Sequence, residues 1–468
     1  MKQWLQRPVT EVISALTRRD FSAEELMQVT LDRIEETAED LVAFTSLRER
    51  EALLADARAA DGRIAAGNSR PLEGIPLGVK DLEDVAGMVT SYGSVPFKDN
   101  RVDTDSIQVE RLRGAGAIVV GKTNAPEFGY TAISKNLIFG ASRNPWNLDH
   151  TPGGSSGGSS AAIAGGVISL ATASDGGGSV RIPASITGCF GHKVSYGRIP
   201  NGPSHLWVMD DTAVHGPLTR SVEDAALHLD VVMGSHPLDP NSLPHPGVSY
   251  RELLDDLPRG LRAAYLPDLG YAVVQSDVAE VVERAVALFP DLGIEVEAVS
   301  GGPPEPGFEW GISGAWELLA RLHSMLPEHE EDFGRSFIRG VKLSSAMNAE
   351  RWGAMRRMRA ELNAWCAQMF EQYDILLTPT IPYDPPAAAG PLASEIEGRP
   401  QPASNIGSFT IPFNLSWHPA GTVRAGLSQA GLPVGLQIIA PRHRDDRVLQ
   451  VSRAFERATN CFAEWPQI

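Results

Sequence analysis

The stretch TPGGSSGGSSAAIAGGVISLATASDGGGSVRIP, residues 151–183, decides how this chain is read. Two serine-bearing glycine loops are separated in it by one helix-like and one strand-like run. Gly153 to Gly158 is too rich in glycine to be a structural loop by default, and the small residues Ser159 to Ala164 open a helix behind it. Val167 to Ala173 has the apolar pattern of a buried strand. About ten helical residues travel roughly 15 Å outward, and five or six strand residues travel roughly 17–20 Å back. The two loops should therefore meet, with Ser155 beside Ser179. In the second loop Gly176, Gly177 and Gly178 precede Ser179, and residues without Cβ let backbone N–H groups turn toward a negative oxygen. Gly176 to Ser179 is thus a candidate oxyanion hole. A lone GGGS is ordinarily a tight turn; the companion serine loop makes chemistry the better reading.

The run GGSSGGSSAA followed by SDGGGSVRIPAS, its two serines 24 positions apart, resembles the amidase signature family, which hydrolyses amides with a Ser-Ser-Lys triad. Similar stretches are GIPLGVKDLED at 74–84, VGKTNAPEFGY at 120–130, NPWN at 144–147, GHKVSYGRIP at 191–200 and GLPVGLQIIAP at 431–441, so the resemblance spans about residues 8 to 460. It implies that Lys80 completes a triad with Ser155 and Ser179, and that Ser155 follows a cis peptide. Ser179 comes directly after the N–H cradle, so its hydroxyl and the cradle can face one carbonyl, as a nucleophile requires. Lys80 can act as base only when neutral. At an ordinary lysine pKa that costs about 4.6 kcal/mol at pH 7, and the apolar setting IPLGVK suits the burial that lowers this cost. Ser155 would pass the proton from Ser179 to Lys80. Ser156 either supports this network or caps the following helix. Asp175 and Arg181 flank the nucleophile loop and read as an ionic brace rather than as substrate ligands.

Two departures bear on function. Gly176 stands where these enzymes often carry Ile, Leu or Thr, which predicts a looser cradle or a roomier pocket. Ile182 stands where the A subunits of tRNA-dependent amidotransferases usually have Gln, and the run at 204–218 also differs from theirs. The expected activity is therefore stand-alone hydrolysis of a small-molecule carboxylic amide through a serine acyl-enzyme, with no metal or organic cofactor. The glutaminase component of such an amidotransferase is the first alternative, and a non-catalytic binding protein on the same scaffold the second. A nucleotide P-loop is disfavoured because GGSSGGSS lacks the GK[ST] ending.

Outward from the motif, 468 residues with 43% apolar content can bury a large core. Motif elements dispersed from residue 80 to beyond 430 favour one domain over 1–468, with a catalytic core at 65–235, a variable, pocket-forming region at 236–400 and a C-terminal return at 401–468. Helical patterns at 8–37, with Ser22 as N-cap and Glu25 three residues on, precede a helix at about 45–66. Strand patterns such as AIVVGKT at 117–123 alternate with helices such as 107–114, which predicts an α/β fold: a mixed, mostly parallel twisted sheet with helices on both sides. Later come a strand in LRAAYLPDLG, a helix Ser276 to Phe289, a long helix over 349–373, the strand DILLTPT and a final helix at 445–458. Residues 301–345 hold no recognised motif, but their aromatic content suits a pocket wall, with Trp310 and Trp316 as candidate substrate contacts.

The net charge of −17 disfavours nucleic acid as a partner. No apolar run approaches the roughly 20 residues that cross a bilayer, and the first residues lack the apolar core of a secretory signal. Three scattered cysteines suggest neither disulfides nor a metal site and point to a reducing, cytoplasmic setting, in which the protein would be a monomer or homodimer.

Overall fold

Eleven strands of a mixed sheet organise the protein, whose structure, a computed structural model, describes residues 1–203, 209 and 211–468. Part of the unusual 204–218 run lies outside the described residues. In chain order the strands are β1 (Phe44–Leu47), β2 (Pro76–Lys80), β3 (Ile118–Thr123), β4 (Leu170–Asp175), β5 (Phe190–Lys193) and β6 (Val214–Thr219). They continue with β7 (Leu261–Tyr265), β8 (Ile294–Ala298), β9 (Ile375–Pro379), β10 (Ala420–Leu427) and β11 (Pro433–Ile439). Across the sheet they run β1-β3-β2-β4-β6-β5-β10-β11-β9-β7-β8.

The α/β fold with a mixed sheet expected from the sequence is present. Its parallel pairings gather in two flanks, β3-β2-β4 and β9-β7-β8, and antiparallel pairing carries the middle. The division follows from the connections. A parallel step needs a long crossover, which the helices Ile107–Gly114 and Ser276–Val286 supply, whereas β10 and β11 are joined by a short turn closed by Ser428 N–H on Leu432 O. Helices flank the sheet, and one apolar core runs from the N-terminal helices through β2, β3 and β4 to the C-terminal helix Asp445–Thr459.

Local signals held where short-range chemistry sets them. The Ser22 hydroxyl accepts from Glu25 N–H at 3.0 Å and the Glu25 carboxylate accepts from Ser22 N–H at 2.8 Å, the reciprocal box that starts Ala23–Leu41. Tertiary pairing changes other boundaries. Residues 45–47, expected to open a helix, instead belong with Phe44 to an edge strand on β3, and the helix begins at Arg50. The strand expected over 167–173 lies over Leu170–Asp175. The motif-free 301–345 region forms the helices Gly307–Leu322 and Arg335–Leu343, with the one-turn helix Leu326–His329 and a 3-10 turn between them.

Three features place the site. β2 and β4 are parallel neighbours, which sets the Lys80 end of one beside Ser174 and Asp175 of the other. The helix Gly157–Ala164 is wholly buried, because its small residues admit close approach: a Cβ on Gly158 would lie 2.6 Å from Ala43 O. The helix Arg181–Thr187 opens directly beyond Ser179.

Candidate active site

Lys80 ends β2 with its side chain fully buried. Its backbone N–H donates to Thr172 Oγ1 at 3.0 Å, and its Nζ donates to Ser155 Oγ at 2.8 Å and to Ser174 Oγ at 3.0 Å. Burial pushes its pKa down to about 7, against Glu83 and Asp175, whose negative charges act to raise it. A neutral lysine, held by a serine hydroxyl, is thus accessible near neutral pH. The Gly154–Ser155 peptide is cis, as the resemblance implied.

Ser155, Ser174 and Ser179 line one cavity of ≈ 270 Å³. Ser179 is the more exposed of the three, and no hydrogen bond joins its hydroxyl to another described residue. The residues of its loop fall into two sets. Gly176, Gly177 and Ser179 line the cavity, and their N–H groups have no acceptor among the described residues. Gly178 N–H instead donates to Asp175 Oδ1 at 2.7 Å and does not line the cavity. Of the four residues expected to form a cradle, Gly178 is the one whose N–H is drawn behind the loop by Asp175. Gly178 has φ of 132°, and a Cβ there would collide with the Thr410 hydroxyl and with Ile182.

Asp175 and Arg181 do form the expected brace. Arg181 Nε and Nη2 donate to the two Asp175 oxygens, each at 2.9 Å, and neither side chain is exposed. Burial alone would raise the Asp175 pKa; the Arg181 charge and its hydrogen bonds overcome this and hold the carboxyl well below the usual range. Arg181 also donates to Thr410 O, Gln437 Oε1 and Asn414 Oδ1 at 2.6–2.9 Å. Asn414 in turn donates to Asp175 O at 2.8 Å, and Thr410 Oγ1 to Gly177 O at 2.7 Å. The loop that carries Ser179 is thus tied from behind to the last quarter of the chain.

Ser156 sits at the N-cap position of Gly157–Ala164 but makes no capping bond; its hydroxyl lies 3.4 Å from both Ser174 O and Ser174 N. Gly176 does not leave open space as expected, because Met209 packs over it: a Cβ there would stand 3.1 Å from the sulfur. Trp310 lines the cavity, its ring pressed on Gly177. Trp316, also expected at the pocket, is 44% exposed and is not among the lining residues. A six-residue step along a helix of about 3.6 residues per turn faces it away.

Sequence reasoning missed Ser174, Thr172, Thr410, Asn414 and Gln437. Ser174 directly precedes Asp175 in the motif, but its bond to Lys80 depends on β2 and β4 being neighbours. Nothing in the spacing of Asn414 or Gln437 connects them to Arg181.

The cavity wall is mainly apolar, with Leu82, Phe128, Tyr130, Ile182, Trp310 and Leu392 among its residues. Thr131, Ser404 and Asn405 add polar groups, and no charged or histidine side chain is among the described lining residues.

Residues 25–449 match the amidase family model. The chain belongs to the amidase family. Among similar amidase-family proteins is an acylamidase of Rhodococcus erythropolis, 34% identical, with 97% of this chain and 95% of the relative covered. The A subunit of the glutamyl-tRNA(Gln) amidotransferase of Trichlorobacter lovleyi is 33% identical, with 97% of both chains covered. A solved bacterial aryl acylamidase of the amidase signature family superimposes with a TM-score of 0.89 at 28% identity, again over 97% of each chain. No helix among the described residues is long and apolar enough to cross a membrane.

Proposed function

We propose that the protein hydrolyses a neutral carboxylic amide of small size through an acyl-enzyme formed on Ser179. The observation that carries this reading is the contact of a buried lysine amine with Ser155 Oγ at 2.8 Å, in the cavity where Ser179 stands beside three unpaired N–H groups. Ser179 Oγ attacks the amide carbon while its proton passes to Ser155, whose own proton moves to neutral Lys80. The N–H groups of Gly176, Gly177 and Ser179 receive the oxyanion. Collapse of the tetrahedral adduct breaks the C–N bond, and the proton held by Lys80 returns through Ser155 to the leaving nitrogen. Water then attacks the ester by the same relay, releasing a carboxylic acid and restoring Ser179.

The apolar wall supports aryl or aliphatic acyl groups. It speaks against the amidotransferase reading, since glutamine carries an ammonium and a carboxylate that are costly to desolvate without charged partners. A mass-spectrometric assay of purified protein with aryl, aliphatic and amino-acid amides checks this. Cleavage of neutral amides by the protein alone is expected. Activity confined to glutamine, or arising only with added partner proteins, would overturn the reading.

A further inference from the structure

The helix Gly307–Leu322 brings Trp310 against the loop that carries Ser179, and a second cavity lies on the far side of that residue. A Cβ on Gly177 would collide with Trp310 Cζ2 and Cη2, so the indole edge rests directly on the backbone of the candidate cradle. Met209 stands beside it. Its sulfur packs against Gly176, and its Cε and Cγ would lie 2.7 and 2.8 Å from a Cβ on Gly314. The second cavity, of ≈ 10 Å³, is lined by the same Trp310 and Met209. Its other walls include Asp211, Glu317 and Arg359, with Arg359 paired to Asp211. Two side chains thus divide a cavity without charged groups among its described lining residues from one that has them.

We propose that Trp310, with Met209, is a specificity-determining wall that closes the acyl end of the cavity and restricts the protein to amides of short, uncharged acyl groups. This rests on the acyl-enzyme reading above. In that reading the leaving nitrogen takes its proton from Ser155, so the amine arm of the substrate lies where Ser155 meets Gly129 and Leu82. A Cβ on Gly129 would stand 3.2 Å from Ser155 Oγ and 2.7 Å from Leu82 Cδ1. A carbonyl carbon carries its two arms on opposite sides, and the acyl arm then runs along Gly176 and Gly177 to Trp310 and Met209. The room there is small: ≈ 270 Å³ in all, just under the roughly 300–1,000 Å³ common for small-molecule sites. Polar groups of the wall are already engaged, Thr131 Oγ1 donating to Ile133 O at 3.0 Å and Asn405 Nδ2 to Ala393 O at 2.8 Å. A longer chain would have to displace an indole packed on Leu362, Ile411 and Leu415, or press against the Asp211–Arg359 pair and strip it of its remaining solvation.

The test measures kcat/KM on two series: p-nitroanilides with acyl chains from acetyl through butanoyl and hexanoyl to octanoyl, and acetamides of amines of increasing length. Wild type should favour the short acyl members. In Trp310→Ala the space left by the indole receives longer chains, and the octanoyl-to-acetyl ratio should rise about a hundredfold or more, the range that a few methylenes command in an apolar pocket. Trp310→Phe keeps a smaller ring and should move the ratio less. Length preference in the amine series should stay as in wild type. Trp316→Ala, on the same helix but exposed and off the cavity, should leave both series unchanged, which separates a wall from a loosened helix. If Trp310→Ala does not fold, Met209→Ala opens the same wall and should shift the acyl series in the same direction. A wild type that prefers octanoyl, equal losses at every acyl length in both variants, or a shift confined to the amine series overturns the proposal. Failure of the wild type to cleave any member of either series, or cleavage that survives Ser179→Ala, would instead sink the acyl-enzyme reading on which it rests.

Discussion

At the scale of single residues, the site turns on the balance between burial and charge at Lys80. The wild-type acid limb is expected near pH 7, where burial places the lysine. Lys80 is protonated and inactive as a base below that value and neutral above it, so the rate rises with pH through the limb. Ser155→Ala and Lys80→Ala should each cut kcat by about a hundredfold or more, on the order of a general-base contribution. Combining them should cost little more than the worse single change, since both interrupt one relay; additive losses in single-turnover rates would contradict this. Lys80, Ser155 and Ser179 were legible because glycine-serine loops and a lysine in an apolar strand are chemically unusual together. Ser174 was hidden, because it lies 94 positions from Lys80 and their bond exists only once β2 and β4 are paired.

At the scale of elements, the loop that carries Ser179 is a turn fastened from behind. The Asp175–Arg181 brace joins β4 to the helix Arg181–Thr187 and, through Thr410, Asn414 and Gln437, to the segment 410–437. Arg181→Ala would strand a buried carboxylate, a loss of about 3–5 kcal/mol for a broken buried pair. It would also leave the Asp175 carboxylate, which holds Gly178 N–H, without its cationic partner, so calorimetry should show a lower Tm and assays a lower kcat together. An unchanged Tm with only KM raised would place Arg181 at the substrate instead. Asp175 and Arg181 could be paired from the sequence because six positions separate them across a glycine turn. Their partners from 410–437 could not, since local spacing carries no information about side chains brought in by the short helix Ile411–Leu415 and by β11. Strand β1 was misread for the same reason: its pairing with β3 overrode a helical pattern beginning at 45.

At the scale of the whole molecule, the alternation of strands and helices predicted the layered α/β fold, while the order of strands was not legible. Order depends on which crossovers pass over which face, and the antiparallel middle of the sheet arises from short links that motifs do not mark. The arrangement assembles the candidate site from distant parts of the chain: β2 supplies Lys80, the loops beside Gly157–Ala164 and Arg181–Thr187 supply Ser155 and Ser179, and the helix Gly307–Leu322 supplies Trp310 to the wall. All of them converge on Ser179. The central claim is tested most directly by treating the protein with a serine-directed fluorophosphonate and locating the adduct by peptide mass spectrometry. One adduct on Ser179 is expected, absent from Ser179→Ala, with a labelling rate that falls as pH drops below about 7 together with amide hydrolysis. An adduct on any other residue with Ser179 unmodified, or full amidase activity in Ser179→Ala, would contradict the account.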